Sequence, residues 1–378
     1  MSFQNIREAL EGELVSLSVF VGALLLSFFA SAQILRTPED RLRVLSWNVE
    51  NLYDHEHDPG RDDWEYLPHS HPMKKMGCLH RVLEKYRPRC LETDWTQDKV
   101  ILKLQQIKRK LDSVGARPDV FAVLEVENER VVRALAQVLG YSWYVITQND
   151  DERGIDQALL FSEKPGFQFR GSQEIPIRLR SRTRPILQVS FEFQGYPLHI
   201  FVNHWPATAA PTAQRVVAAE TLRQAIDRAY VTESPRPTFV AAVGDFNVTP
   251  ENRPYPFDIL HDPRWSNSLV DLDHIARQFV MIPIQGSYFV PGQMRWSLLD
   301  RIFLSKNFFD QKQLRLPVNR YQIVTTFTRP FVSRPDPTTG QVQREGQIPM
   351  RYNPHTLDPK KAGFSDHFPV MFEIVKGS

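Results

Sequence analysis

Short apolar runs recur along this chain, and each stops at a polar residue of a particular kind. Phe239 to Val243, bounded by Pro237 and Gly244, predicts a buried strand and leads directly to Asp245 and Asn247. Leu42 to Trp47 ends in Asn48, Asp119 to Leu124 ends in Glu125, and Leu198 to Val202 ends in Asn203 and His204. Further on, Asp300 adjoins the apolar run of SLLDRIFLS, and Asp366 and His367 immediately precede that of GFSDHFPVMFEIV. Between these runs the period changes. Ile101, Leu104, Ile107 and Leu111 have the spacing of one helical face within Lys99 to Leu111, Arg130 to Leu139 repeats it, and Thr212 to Tyr230 predicts a second long helix. Trp143 to Thr147, Ala158 to Ser162, Phe167 to Phe169 and Leu187 to Phe193 read as strands of an antiparallel or mixed sheet. Strands and helices interleaved in this way fit two packed sheets flanked by helices.

The polar ends matter because strand ends in layered α/β folds are where ligand sites assemble. Asp245 and Asn247 are two residues apart, so on an extended segment both side chains leave by one face; the plain alternative is a turn with an Asx bend. One such junction carries little weight. Six carrying acids, amides or imidazoles describe a site.

Taken in order, WNVEN, LEVEN, NHWP, GDFN, LLDRIFLS and SDHFPV resemble the successive motifs of the endonuclease/exonuclease/phosphatase superfamily, over about Arg41 to Val375. The resemblance implies a four-layer α/β sandwich, two packed mixed β-sheets flanked by helices, in a single domain over 41–376. It also implies a metal-dependent phosphoric ester hydrolase. Carried onto matching positions, Glu125, Asn48 and Asp366 would hold Mg²⁺, with Mn²⁺ as the alternative. A hard cation of this kind prefers oxygen ligands. Asp245 would orient and deprotonate the attacking water, Asn247 would hold phosphate or water in line, and His204, with Asn203 beside it, would stabilise charge on a non-bridging oxygen. His367 would carry proton or charge at the phosphate, with Asp300 fixing its tautomer. Glu127, Asp156 and Arg184 are weaker candidates: Glu127 shares the side of Glu125 by alternation, Asp156 lies in GID, and Arg184 could contact phosphate or form an ordinary ion pair. The tyrosine that apurinic endonucleases place against the phosphate has no identifiable position, which argues against an apurinic-site repair enzyme.

Composition adjusts this reading in three places. The 378 residues carry a formal net charge of +2, no strong field for nucleic acid. Leu14 to Leu35 is uncharged and contains Ala30-Ser31-Ala32, so 1–32 reads as a secretory signal cleaved after Ala32 and the protein as periplasmic or extracellular. Arg7 is outnumbered by Glu8, Glu11 and Glu13, which keeps an uncleaved membrane anchor as the other reading. Cys78 and Cys90 could close a small loop or remain free thiols, and with neither CxxC nor HExxH present a dedicated zinc site has no support.

An insertion at about 53–98 contains His55, His57, His69, His71 and His80; a solvated loop is the plainer reading than a metal site. Phe327 to Gly363 has little periodicity and leads into Asp366 and His367, so it is expected to border the cleft. The function expected is that of an exported nuclease, monomeric and without an obligate protein partner, acting on phosphodiester bonds of nucleic acid. A phospholipid or small-molecule phosphoesterase, and an inactive binding domain, are the alternatives.

Overall fold

A computed structural model describes residues 40–148, 151–279, 282, 284–310, 312–332 and 345–377, and the expected signal segment lies outside them. Residues 41–378 form one compact unit that contains every element named below. In chain order the strands are β1 (Arg41–Leu52), β2 (Val120–Val126), β3 (Trp143–Ile146), β4 (Asp156–Phe161), β5 (Phe167–Ile175), β6 (Ile186–Phe193), β7 (Tyr196–His204), β8 (Phe239–Asp245) and β9 (Leu269–Asp271). They continue with β10 (Tyr288–Val290), β11 (Arg295–Ser297), β12 (Asp300–Ser305), β13 (Leu314–Arg315), β14 (Gln322–Ile323), β15 (Thr328–Val332), β16 (Glu345–Pro349) and β17 (Val370–Lys376). The helices are α1 (Lys74–His80), α2 (Arg87–Glu92), α3 (Gln97–Asp112), α4 (Glu129–Leu139), α5 (Thr212–Glu233), α6 (Asp258–His261) and α7 (Leu272–Phe279).

One sheet runs β13-β17-β1-β2-β4-β3, with β14 also on β17, and the other runs β5-β6-β7-β8-β12-β9. In each, one central pair is parallel, β1 with β2 and β7 with β8. Alternation along β1 shows why the sandwich has four layers. Leu42 and Val44 join Val120, Leu198, Phe239 and Ile302 in the core between the sheets. Leu45, Trp47 and Val49 face the other way, into a core with α3 and α4. The outer face of the second sheet packs Phe201, Val240 and Ala242 against Ala218, Leu222 and Ile226 of α5. Strands buried on both faces are nearly continuous apolar runs, which is why their polar ends stand out.

Three expectations shift. On α3 the inward face is Val100, Lys103, Leu104, Ile107 and Leu111, whereas Ile101 is exposed. Lys103 is tolerated inside because its ammonium donates to the carbonyls of Glu50 (3.2 Å) and Phe364 (2.8 Å) and lies over the Tyr352 ring. The insertion is ordered by α1 and α2, a Cys78–Cys90 disulfide and the Tyr53–Tyr66 ring stack at 3.9 Å. Within the stretch expected to be an aperiodic loop, Thr328–Val332 and Glu345–Pro349 pair antiparallel as β15 and β16, whereas 350–363 carry no strand or helix. No helix among the described residues is long and apolar enough to cross a membrane.

Candidate active site

The polar strand ends meet because the sheet registers align them. Asp245, last residue of β8, pairs with His204 at the end of β7 and with Asp300 at the start of β12, so three functional groups lie side by side across one sheet. Gly244 makes this close approach feasible: a Cβ there would lie 1.9 Å from the Asn203 carbonyl oxygen, at φ +135°. From the opposite sheet, β1 and β2 bring Asn48 and Glu125, and the segment entering β17 brings Asp366 and His367.

Asn48 spans the two sheets, its amide donating to Glu125 Oε1 (3.0 Å) and Asp245 Oδ2 (3.2 Å), while its oxygen accepts from the Glu50 N–H. The other Glu125 oxygen accepts from the Asn51 N–H at 3.0 Å. His204 Nε2 lies 3.9 Å from both Glu125 Oε1 and Asp245 Oδ2. His367 Nδ1 is 2.7 Å from Asp300 Oδ2, and its Nε2 is 3.9 Å from Asp245 Oδ2 and from Asp366 Oδ1. Seven of the expected residues therefore form one continuous group: Asn48, Glu125, His204, Asp245, Asp300, Asp366 and His367.

Two expected residues stand just behind it. Asn203 is fully buried; its amide donates to the Phe201 carbonyl and its oxygen accepts from the Trp205 indole at 2.9 Å, so its side chain braces the NHWP turn and does not face the cluster. Asn247 sits at φ +51°, its N–H donating to Asp245 Oδ1 and its amide to the Trp205 carbonyl. This is the Asx-bend reading of GDFN, and it fixes the Asp245 carboxylate by one oxygen. Glu127 does not share the side of Glu125. Glu125 has φ +63° and the register slips there, so alternation is broken; Glu127 is buried, accepts from the Asp54 N–H, and is pushed up to about 10 by burial and the nearby Asp54. Asp156 accepts from the buried Thr147 hydroxyl. Arg184 is buried, pairs with Asp151 and donates to the His204 and Trp205 carbonyls, positioning His204 through the backbone.

Electrostatics divide the site into different jobs. Burial raises the Asp245 carboxyl to about 7, with His367 and the Asn48 and Asn247 hydrogen bonds pulling the other way. Burial works against a charged His367, but Asp300, Asp366 and Asp245 together outweigh it and hold the imidazolium well above the ordinary histidine range. Burial, Arg184, Arg153 and His367 keep His204 neutral, far below that range.

The donor set suits a hard divalent cation, because Glu125 and Asp245 each lie 3.9 Å from His204 Nε2, and Asp245 and Asp366 each 3.9 Å from His367 Nε2, which brings three carboxylates into one group. Asp245, Asp300 and His367 also lie within 4.8 Å of one another. Asp300 and His367 are already joined and Asp300 is fully buried, so the more open Glu125 and Asp366 are the better holders. Three of the five insertion histidines have other partners: His57 pairs with Asp63, His69 Nε2 lies 3.0 Å from the Leu91 carbonyl, and His71 accepts from the Met73 N–H.

Sequence reasoning missed Glu50, Arg153, Tyr288 and Arg351. Glu50, in the WNVEN motif itself, pairs with Arg351 and accepts from the Tyr352 N–H; burial, with Asp366 nearby, raises it to about 7. Arg351 also reaches Asp366 at 3.7 Å, and the Tyr288 ring lies 4.8 Å from that of His367. The only sequence signal for them was proximity to motifs or to the loop expected at the cleft.

A family profile described as the Endonuclease/Exonuclease/phosphatase family matches residues 79–376. Among solved structures, an endonuclease/exonuclease/phosphatase family protein from Bacteroides thetaiotaomicron is similar at TM-score 0.53 and 14% identity, over 89% of this chain and 98% of that one. A mannosyl-6-phosphatase of Bacteroides thetaiotaomicron VPI-5482 is similar at TM-score 0.53 and 16% identity, over 88% of this chain and 99% of that one. At these identities the likeness concerns the fold. Comparison with curated proteins returned no match.

Proposed function

The chain belongs to the endonuclease/exonuclease/phosphatase family of phosphoric ester hydrolases, and from that premise we propose that it is an exported, Mg²⁺-dependent phosphodiesterase that cleaves nucleic acid. The observation that carries the catalytic part is the placing of an Asp300-held His367 beside Asp245, two titratable groups both raised by their surroundings, so that near neutrality the carboxyl ionises while the imidazolium keeps its proton. Asp245, ionising near neutrality, orients a water and accepts its proton. His367, held as the imidazolium, places charge and a proton donor at the phosphate. Neutral His204 donates from Nε2 to a non-bridging oxygen, stabilising charge that develops there. Glu125 and Asp366, with the Asn48 amide turned to offer its oxygen, would hold the metal. A bound divalent cation neutralises phosphate charge and lowers the pKa of a bound water.

Nucleic acid is favoured by a run of cations in the segment before Arg184, which itself donates to the His204 carbonyl. Arg178, Arg180 and Arg182 are exposed on the segment that leads to Arg184, with no acid between Ile175 and Phe191. Such a row tracks a phosphate backbone better than a single phosphomonoester. Export is supported by Ala30-Ser31-Ala32 and by the Cys78–Cys90 disulfide, a bond that persists in oxidising compartments. The rival reading, a phospholipid phosphoesterase, is favoured by exposed apolar residues in the insertion. Purified residues 41–378 with Mg²⁺ should cut plasmid DNA or RNA faster than sphingomyelin or a phosphomonoester; a preference for sphingomyelin would replace the nuclease reading. Mass spectrometry of protein from the native host should find the N-terminus at Gln33, and retention of Met1 would establish an anchor instead.

A further inference from the structure

The insertion between β1 and α3 has a surface unlike the rest of the described chain. Met73 (53%), Met76 (51%), Leu83 (67%), Tyr86 (49%) and Leu91 (37%) are exposed within this one short stretch, whereas Ile101, Val138, Trp143, Val231, Phe279 and Leu357 are scattered. Single exposed apolar residues are ordinary, but a concentration of them marks an interaction site. The same stretch carries Lys74, Lys75, Arg81, Lys85, Arg87 and Arg89 against one acid, Glu84, in a chain of net charge +2. The remainder of the chain is therefore net negative, and within the insertion Met73–Leu91 is a cationic stretch set against nine acids and one arginine in 53–72 and 92–98.

The knot is built to hold these side chains outward. Its inside is occupied by the Cys78–Cys90 disulfide and by Lys74, whose ammonium donates to the Trp64, Glu65 and Leu67 carbonyls. Gly77 packs against Trp64 so closely that a Cβ would lie 2.0 Å from the ring. Met73 and Met76, three residues apart, share the opposite face of α1. Arg81 pairs with Asp62 and Arg89 with Glu65, while Lys75 and Lys85 are exposed with no carboxylate partner among the described residues.

We propose that Met73–Leu91 docks this protein on an anionic phospholipid surface, its apolar side chains and Tyr86 entering the boundary between headgroups and acyl chains while Lys75, Lys85 and Arg87 face lipid phosphate. Interleaved aliphatic and cationic residues with few acids are the composition of interfacial elements. A protein partner is disfavoured because interface cores are depleted in charge, lysine above all. Nucleic acid is disfavoured because four of the five exposed apolar residues are aliphatic and present no ring for a base to stack on. Arg89 lies 3.4 Å from the Tyr66 hydroxyl, and Tyr66 stacks on Tyr53, which directly follows β1. Docking would thus hold the lipid surface near the strand that carries Asn48. The inference concerns where the enzyme sits and holds for either substrate reading.

The test is co-sedimentation of residues 41–378, which omit the uncharged N-terminal stretch, with phosphatidylglycerol/phosphatidylcholine vesicles and with phosphatidylcholine alone, in EDTA. Wild type should bind the anionic vesicles and lose them as salt rises. Met76→Ser/Leu83→Ser and, separately, Lys75→Glu/Lys85→Glu should each weaken binding by about tenfold or more. Hydrolysis of soluble bis(p-nitrophenyl) phosphate with Mg²⁺ should be unchanged in both, since none of these residues touches the site. Wild type that stays in the supernatant, or variants that bind vesicles as well as wild type, would overturn the proposal. So would variants that lose oligonucleotide binding and keep vesicle binding. Failure to hydrolyse the soluble ester would refute the catalytic reading and leave the docking result standing, because vesicle binding needs no turnover.

Discussion

Nδ1 of His367 lies 2.7 Å from Oδ2 of Asp300, and the two residues come from opposite sheets, Asp300 opening β12 and His367 just ahead of β17. The contact joins the halves of the sandwich at the point where chemistry is proposed. It also aims Nε2 between Asp245 and Asp366, 3.9 Å from each.

Asp300→Asn keeps the shape and removes the charge that holds the imidazolium. Turnover should fall by about 10²-fold or more, and the His367 ring should titrate lower by NMR. Because the folded pKa lies above the ordinary 6.5, this protonation stabilises the wild type fully below pH 6.5 and the gain is lost as pH rises through the folded value. Urea unfolding should therefore show the wild type's advantage over the variant shrinking in alkaline buffer. An advantage that grew with pH would contradict the assignment.

Glu125 and Asp245 are given different jobs. Glu125→Gln should lower activity and recover part of it at high Mg²⁺ or with Mn²⁺. Asp245→Asn should lose at least ~10²-fold in turnover, and added metal should not restore it. Isothermal titration with Mg²⁺ separates them: metal binding lost in Asp245→Asn but intact in Glu125→Gln would exchange the roles.

Asp245 also opposes folding in the metal-free protein. Its carboxyl is raised from 3.8 to about 7, so the unfolded chain ionises first and the penalty grows as pH rises between those values. In EDTA above pH 7, Asp245→Asn should melt higher than wild type, by about 2 to 4 °C for each kcal/mol relieved. Equal melting temperatures across that range would show that the buried charge is compensated.

His204 is held neutral, so it should contribute hydrogen bonding without a titration of its own. His204→Ala should reduce kcat by roughly 10²- to 10³-fold while leaving the shape of the pH–rate profile unchanged. Loss of one limb of that profile would instead identify His204 as an acid or base.

Cys78 and Cys90 are 12 residues apart, a loop whose closure is worth roughly 3 kcal/mol in the chain-entropy account. Reduction, or Cys78→Ser, should loosen the insertion and expose it to protease first. Hydrolysis of a small soluble ester should persist, because the site residues belong to the sheets.

The candidate site was largely legible because most of its members lie where buried apolar runs stop. A strand buried on both faces must be apolar throughout, so Glu125, His204 and Asp245 mark strand ends without any knowledge of neighbours, and Asn48 marks where the regular pairing of β1 with β2 stops. The layered fold followed from the same runs. Residues whose role depends on distant partners were not visible in this way. Glu50 and Arg351 are 301 residues apart, and nothing local to either marks the pair.

The sequence by itself determined the long buried strands, the helices α3, α4 and α5, and the polar residues at which the apolar runs stop, because apolar period is a local property. Only the tertiary structure decided which face of α3 turns inward. Ile101 fits the apolar stripe better than Lys103, yet Lys103 is buried, because carbonyls of Glu50 and Phe364, from β1 and from far along the chain, satisfy its ammonium. Only the tertiary structure separated Glu127 from Glu125, through a left-handed residue that breaks the alternation, and withdrew Asn203 behind the cluster. Burial and hydrogen-bond partners are properties of the assembled sandwich; periodicity is a property of the chain.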